Sequence, residues 1–267
     1  MLRSVLIWGF AVVIGLSLSV GYRIADAGVV GAWLFDEGSG DVAKDSSGNG
    51  IDGVLTGGPE WVAGKFGSAL KFEDNKYVDF PPPTPEPLII DQDITFMAWV
   101  NPTEFRTSNW NIVFSMQRGS SNGESYSMAI GRNGAPGVIM LFVNADANAR
   151  VDSPDTIQIG EWVHIAGTYD GSSLVLYKNG DPVSEVAVTG KLNHEDRKGR
   201  FVINGNYNSL DGGLKEWVRA TIDEVLLFDE VLSEDKIKAY MEQGFDAVIA
   251  VDAKDKLTTT WGELKTH

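Results

Sequence analysis

Asp36 and Glu37 close a short apolar run, and a glycine-punctuated turn, Asp45-Ser46-Ser47-Gly48-Asn49-Gly50, follows soon after. Oxygen-bearing side chains on a tight loop directly after a buried strand suit a hard cation such as Ca²⁺. That ion collects about six to eight oxygens, some of them backbone carbonyls of a bent chain. Asp36, Glu37, Asp45 and Asn49 are the candidate ligands, with structural Ca²⁺ as the expected cofactor. Asp223 is the fifth, because it sits in Ala220 to Phe228, whose run Val225 to Phe228 reads as buried. A carboxylate there, with no Lys or Arg beside it, is costly unless a cation or several hydrogen bonds satisfy it. An EF-hand is excluded: the position that needs a bidentate Glu is Thr56, and no helical pattern flanks the loop. The same acids and amides could instead cap turns.

Among the aromatics, Trp33, Trp99 and Trp162 fall inside strand-like runs and read as core. Trp110, Tyr207 and Trp217 are flanked by Asn, Ser, Gly or Lys, where a ring could stack on a sugar while nearby amides read its hydroxyls. Anchoring of a loop is the competing role for all three. Catalysis has less support. His164 lies mid-strand, His194 in a polar turn and His267 at the end, so no Ser/His/Asp constellation can be argued. Asp223-Glu224 and Asp229-Glu230 do not set two acids on one face of a strand at a glycosidase spacing. The reading is therefore that the chain is not an enzyme.

The elements that must position these residues are strands. Thr95 to Asn101, Asn111 to Gln117, Tyr126 to Gly131 and Gly137 to Asn144 are rich in β-branched and aromatic residues and bounded by Gly, Asn or Ser. The firmest local signal is the meander Glu161 to Val188. Asp170-Gly171 and Asn179-Gly180 supply the left-handed backbone that tight hairpins need. The prolines of residues 81–87 make an extended surface connection. Only Glu234 to Gln243 reads as a helix, with Ser233 as N-cap, Gly244 as stop, Leu232 as staple and Ile237, Tyr240 and Met241 on its buried stripe. This pattern predicts an all-β, two-sheet antiparallel sandwich or jelly roll with one short C-terminal helix.

Residues 1–27 read as a signal peptide: Arg3, an apolar segment from Val5 to Val20, and Ala25-Asp26-Ala27 as the cleavage signal. A retained anchor is the alternative. Residues 28–244 then form the domain and 245–267 a tail. With no cysteine, neither a lipid-modified thiol nor a disulfide is possible. A net charge of −15 repels phosphate backbones, so nucleic acid is not an expected partner. No second apolar segment reads as a membrane span.

Several segments together resemble the laminin-G-like, concanavalin A-like jelly roll of secreted bacterial proteins. They are Trp33-Leu34-Phe35-Asp36-Glu37-Gly38-Ser39-Gly40, Asp45 to Gly50, Trp61 to Gly67, Phe96 to Val100, Trp162 to Gly171, Leu176 to Gly180 and Ile222 to Val225. The resemblance implies two antiparallel sheets, commonly one bound Ca²⁺, and binding more often than catalysis. The expected function is thus a secreted or cell-surface, non-catalytic module for an extracellular glycan or glycoprotein. An adhesive or structural domain engaging a protein, and a glycan-active enzyme, are the alternatives. In this picture Asp36, Glu37, Asp45, Asn49 and Asp223 form a metal clasp between the first strand and the last.

Overall fold

The computed structural model describes residues 28–118, 123–195, 199–207 and 213–251. The proposed signal segment, 1–27, and residues 252–267 of the tail lie outside them. In chain order the strands are β1 (Val29–Trp33), β2 (Val42–Ala43), β3 (Gly53–Thr56), β4 (Glu60–Ala63), β5 (Ser68–Phe72) and β6 (Tyr77–Asp79). Next come β7 (Ile94–Glu104), β8 (Ile112–Gln117), β9 (Glu124–Arg132), β10 (Ala135–Asn144), β11 (Asn148–Thr156) and β12 (Val163–Tyr169). The set closes with β13 (Ser173–Lys178), β14 (Asp181–Ala187), β15 (Phe201–Ile203), β16 (Asn206–Tyr207), β17 (Leu214–Lys215) and β18 (Arg219–Phe228).

Two eight-stranded antiparallel sheets result. The first runs β14-β13-β12-β7-β18-β5-β4, with β1 also paired to β18, and the second runs β11-β10-β9-β8-β15-β6-β3-β2. Alternation along the strands drives one side chain in two into the space between the sheets. Phe96, Ala98, Val100, Ile165, Leu174 and Leu227 of the first sheet meet Phe114, Tyr126, Met128, Leu141 and Phe201 of the second in one core. This is the jelly-roll sandwich expected from the sequence. Strand β11, absent from that expectation, forms an edge of the second sheet, where Pro154 and the charges of Arg150, Asp152 and Asp155 are tolerated.

Helix α1 (Glu234–Gln243) lies where the sequence puts it, with the Ser233 hydroxyl accepting from the Lys236 N–H; Met241 is only half-buried. The first residues of the segment that the sequence assigns to a tail lie along the domain. Residues 245–251 continue as helix, and Phe245 and Val248 join Ile237, Tyr240, Leu226 and Phe228 in an apolar layer over the outer face of the first sheet. Gly244, at φ 77°, turns the chain back, and the Glu224 carboxylate accepts the Phe245 N–H at 3.0 Å.

Strand β18 changes partners halfway. Ala220 to Ile222 pair with β5, whereas Val225 to Phe228 pair with β1 on the same side. Between them the register against β7 slips at Asp223–Glu224, and Glu224 takes a left-handed φ of 51°. Such a bulge turns two consecutive side chains out of the core.

Candidate ligand groove and cation site

The outer face of the second sheet carries a groove. Its floor follows from register: Phe142, Ser127 and Ser115 stand directly opposite one another on β10, β9 and β8, and so share one face. Ile112, Ala129 and Met140 form a small apolar cluster on that face, with Trp110, Val138 and Phe142 packed against it. Trp110 and Phe142 meet edge to face, ring centroids 5.3 Å apart, and the Arg132 guanidinium lies 5.7 Å from the Trp110 ring.

One wall is the segment 204–207 together with 213–217. The Ser115 hydroxyl donates to the Gly205 carbonyl at 2.9 Å, and Val218 N–H donates to Asn204 Oδ1 at 2.7 Å. Opposite stand Asn144, Asn148 and Arg150 of the β10–β11 hairpin. Two adjoining lobes follow. One, about 330 Å³, is lined by Trp110, Arg118, Glu124, Phe142, Asn148 and Arg150. The other, about 230 Å³, is lined by Trp110, Ile112, Glu124, Phe142, Asn206 and Glu216. The Asn206 amide nitrogen donates to Glu124 Oε1 and to Glu216 Oε2, the latter at 3.2 Å. Burial raises the pKa of both carboxyl groups, and the charge of Glu216 adds to the effect at Glu124. Glu216 is held at φ 64°, a conformation that costs a non-glycine residue free energy.

Of the three aromatics singled out in the sequence, Trp110 lines both lobes. Tyr207 does not serve as expected: it is 4% exposed, the Arg200 guanidinium sits 3.9 Å from its ring, and its hydroxyl donates to Asp79 at 2.9 Å. A ring so enclosed offers no face to a sugar. Trp217 is half-buried beside the groove with Arg106 5.8 Å from its ring, and lines neither lobe. Asn206 lies in the polar run Asn204 to Asp211, whose amides the sequence marks as fit to read sugar hydroxyls, whereas Glu124, Phe142 and Glu216 escaped the sequence reading because they come from separate elements. The one available signal was the run Val138 to Val143, apolar on both faces of its strand.

The five candidate metal ligands separate into two groups. Asp45 is saturated: Oδ1 accepts from Ala32 N–H and Ser47 N–H, and Oδ2 from the Ser47 hydroxyl and Ile51 N–H, all within 3.1 Å. Asn49 donates from its amide to the Val29 and Val30 carbonyls, both at 2.9 Å. This loop therefore staples β1 with its own hydrogen bonds. Asp36 and Asp223 lie instead around the turn joining β4 to β5. Asp36 Oδ1 accepts Ser68 N–H at 2.8 Å, and Asp223 Oδ2 accepts Lys65 and Phe66 N–H at 2.8 and 3.1 Å. The second oxygen of Asp223 is buried without a hydrogen-bond partner, and so is Oε2 of Glu37, whose other oxygen takes Lys44 N–H.

Two glycines leave room for these carboxylates. A Cβ on Gly64 would stand 2.6 Å from Asp223 Oδ2, 2.5 Å from the Phe66 carbonyl oxygen and 2.7 Å from that of Ser68; one on Gly67 would collide with Asp36. Burial pushes the Asp223 carboxyl up to about 7, with nearby Asp36 adding to the shift, and pushes Glu224 up to about 8. A buried carboxylate oxygen without a partner on Asp223, with the exposed Asp36 nearby, offers oxygen donors of the kind a hard cation takes. No group of three or more acidic or histidine side chains placed to hold a metal ion occurs among the described residues, so backbone oxygens and water would have to complete the shell.

A family model described as the concanavalin A-like lectin/glucanases superfamily matches residues 72–238. Among solved structures, domain 4 of an extracellular arabinanase from Geobacillus stearothermophilus, in complex with arabinotriose, superposes with a TM-score of 0.60 at 19% identity. That match covers 81% of this chain and 99% of the arabinanase domain. The binding domain of Paraclostridial Mosquitocidal Protein 1 gives a TM-score of 0.61 at 13% identity, over 80% of this chain and 52% of that one. The binding domain of botulinum neurotoxin serotype G gives 0.59 at 13%, over 80% and 50%. This chain thus spans about half the length of the two toxin domains. At these identities the likeness is one of fold. Comparison with curated proteins gives no match.

Proposed function

Because the chain belongs to the concanavalin A-like lectin/glucanase superfamily, we propose that it is an exported, non-catalytic module that binds extracellular carbohydrate. The ligand lies in the groove on the outer face of the second sheet. The observation that carries this reading is the pairing of an aromatic wall, Trp110 with Phe142, with amides and charged groups on both flanks of one concave surface. Rings bury the C–H face of a sugar while amides and guanidinium groups read its hydroxyls. The arabinanase domain in complex with arabinotriose supports a sugar ligand for a sandwich of this kind. No helix among the described residues is long and apolar enough to cross a membrane.

Ca²⁺ belongs to this proposal as a structural ion held by Asp36 and Asp223 with carbonyl oxygens of the β4–β5 turn. When bound it would supply charge compensation for a carboxylate buried under the β4–β5 turn. The free oxygen of Asp223 supports that assignment, whereas the saturated Asp45 argues against a site within its own loop.

A glycan array probed with the folded chain tests the reading. Saturable binding to one class of oligosaccharide is expected, lost in Trp110→Ala without a change in melting temperature. Binding untouched by that substitution would move the site elsewhere. Silence across the array, with specific capture of a protein partner, would favour an adhesive role.

A further inference from the structure

The larger lobe of the groove, unlike the smaller, is lined by two guanidinium groups, those of Arg118 and Arg150. Register puts Arg150 directly opposite Phe142 across β10 and β11, so the two side chains stand on the same face of the sheet. An ion pair with Asp152 holds Arg150 there: Nε lies 2.7 Å from Oδ1, and Nη2 donates to Oδ2 at 3.1 Å. A guanidinium carries five N–H donors in one rigid plane. Asp152 faces only the Nε and Nη2 edge, and Arg150 has no other partner among the described residues. The ion pair therefore fixes the plane of a guanidinium whose remaining edge is unspent.

Arg118 reaches the same lobe from the end of β8. Its guanidinium lies against Gly123, where a Cβ would stand 3.2 Å from Nε and from Nη2, and its charge is felt at Glu124. The smaller lobe has the opposite character. Glu124 and Glu216 line it, with no cationic side chain among its described lining residues. The groove thus has a basic end and an acidic end, which share the rings of Trp110 and Phe142. Such a polarity sets the direction of a bound chain and the place where it can carry charge.

We propose that the groove selects an oligosaccharide with a single carboxylate, a uronic acid unit seated in the larger lobe on Arg118 and Arg150, followed by a neutral unit in the smaller lobe. This inference rests on the carbohydrate-binding reading above. The carboxylate accepts from the unspent edge of Arg150 and from Arg118, the planar pairing that a guanidinium makes best. The hydroxyls of the neutral unit donate to Glu124 and Glu216. A second carboxylate would meet those two acids, so the acidic unit fits one lobe only. The net charge of −15 acts in the same direction, because its repulsion grows with each further negative charge on the ligand and disfavours polyanions.

The test is a glycan array that carries neutral oligosaccharides beside their uronic acid, polyuronate, sulfated and amino counterparts, followed by titration of the strongest ligand and its neutral parent. The strongest ligand should carry one carboxylate and bind about tenfold more tightly than that parent, as charge-assisted hydrogen bonds allow. Arg150→Gln and Arg118→Gln should each bring the ratio toward one, and Arg150→Lys, which keeps the charge and loses the fork, should give an intermediate value. Melting curves of the three variants separate lost folding from lost selectivity. A ratio that survives both Gln substitutions would overturn the site. A neutral, amino, sulfated or polyuronate glycan as the strongest ligand would overturn the single carboxylate and leave the carbohydrate reading standing, whereas an empty array would overturn both.

Discussion

Asp45 and Asp223 carry the same side chain in opposite situations. Four donors of the chain itself fill both oxygens of Asp45, whereas one oxygen of Asp223 is buried with none. Substitution should separate them. Asp45→Asn puts an NH₂ group against N–H and O–H donors and removes charge-assisted bonds, at a cost of about 3 kcal/mol, whether or not Ca²⁺ is present. Asp223→Asn keeps an oxygen for Lys65 and Phe66 N–H and removes a desolvated charge, so the metal-free protein should melt at the same temperature or higher. Wild type should gain several degrees with Ca²⁺ and lose them in chelator, and Asp223→Asn should show no such gain. Thermal melts of the three proteins with Ca²⁺ and with chelator decide it; a Ca²⁺-dependent shift surviving in Asp223→Asn would remove that residue from the site. The left-handed backbone of Phe35 and Glu224, at φ 57° and 51°, fits this assignment. Strained residues flank the two acids at the end of β1 and in the bulge of β18, where the surrounding structure holds them.

The elements differ in how openly the sequence announces them. Helix α1 was legible to the residue because its signals are local: a Ser cap, acids in the first turn and a glycine stop. The β12–β13–β14 meander was legible through Asp170-Gly171 and Asn179-Gly180, whose turn geometry is written in adjacent residues. Strand β11 was hidden because an edge position does not require clean alternation. The groove was hidden for a different reason: Trp110, Glu124, Phe142 and Glu216 meet only once register stacks β8, β9 and β10 and the wall from 213 to 217 folds back. The segment past Gly244 carries an apolar run, Ala247 to Val251, that by itself does not say whether it lies along the domain or trails from it, although the consequence is large. Phe245 is buried against Tyr240, ring centroids 6.1 Å apart, and helps to cover Leu226 and Phe228. Phe245→Ala should therefore cost about 3 kcal/mol, as a buried ring does, against about 1 kcal/mol for loss of the cap in Ser233→Ala. Urea midpoints of the two variants test the ranking; equal small losses would return the domain boundary to Gly244.

At the scale of the whole molecule, two electrostatic effects oppose each other as pH falls. A chain of net charge −15 repels itself, and acidification toward its isoelectric point near 4.5 relieves that repulsion. Against this stands His164 of β12, 2% exposed and packed against Trp99 of β7, with Nδ1 lacking a partner. Burial, and then the charge of Lys65, hold its imidazole down at about 3, below the ordinary 6.5. Lys65 is itself seated over the Trp99 ring, 4.1 Å from the centroid. Because the folded pKa is depressed, the unfolded chain takes up the proton first. Stability from the neutral ring is then complete above pH 6.5 and is lost as pH falls toward 3. Between pH 7 and 5 that loss is about 2 kcal/mol. Salt separates the two effects, since it screens the surface charges but barely reaches a ring under Trp99. In roughly 0.5 M salt, where screening lengths shrink to a few ångströms, the change in urea midpoint from pH 7 to pH 5 should be less favourable in wild type than in His164→Gln, which is uncharged at both values. The buried carboxyls of Asp223 and Glu224, raised to about 7 and 8, take up protons in the folded state and stabilise both proteins alike as pH falls, so the difference between the two proteins reports His164. If the two proteins respond to pH in parallel, the acid sensitivity belongs to the carboxylates and His164 is a spectator.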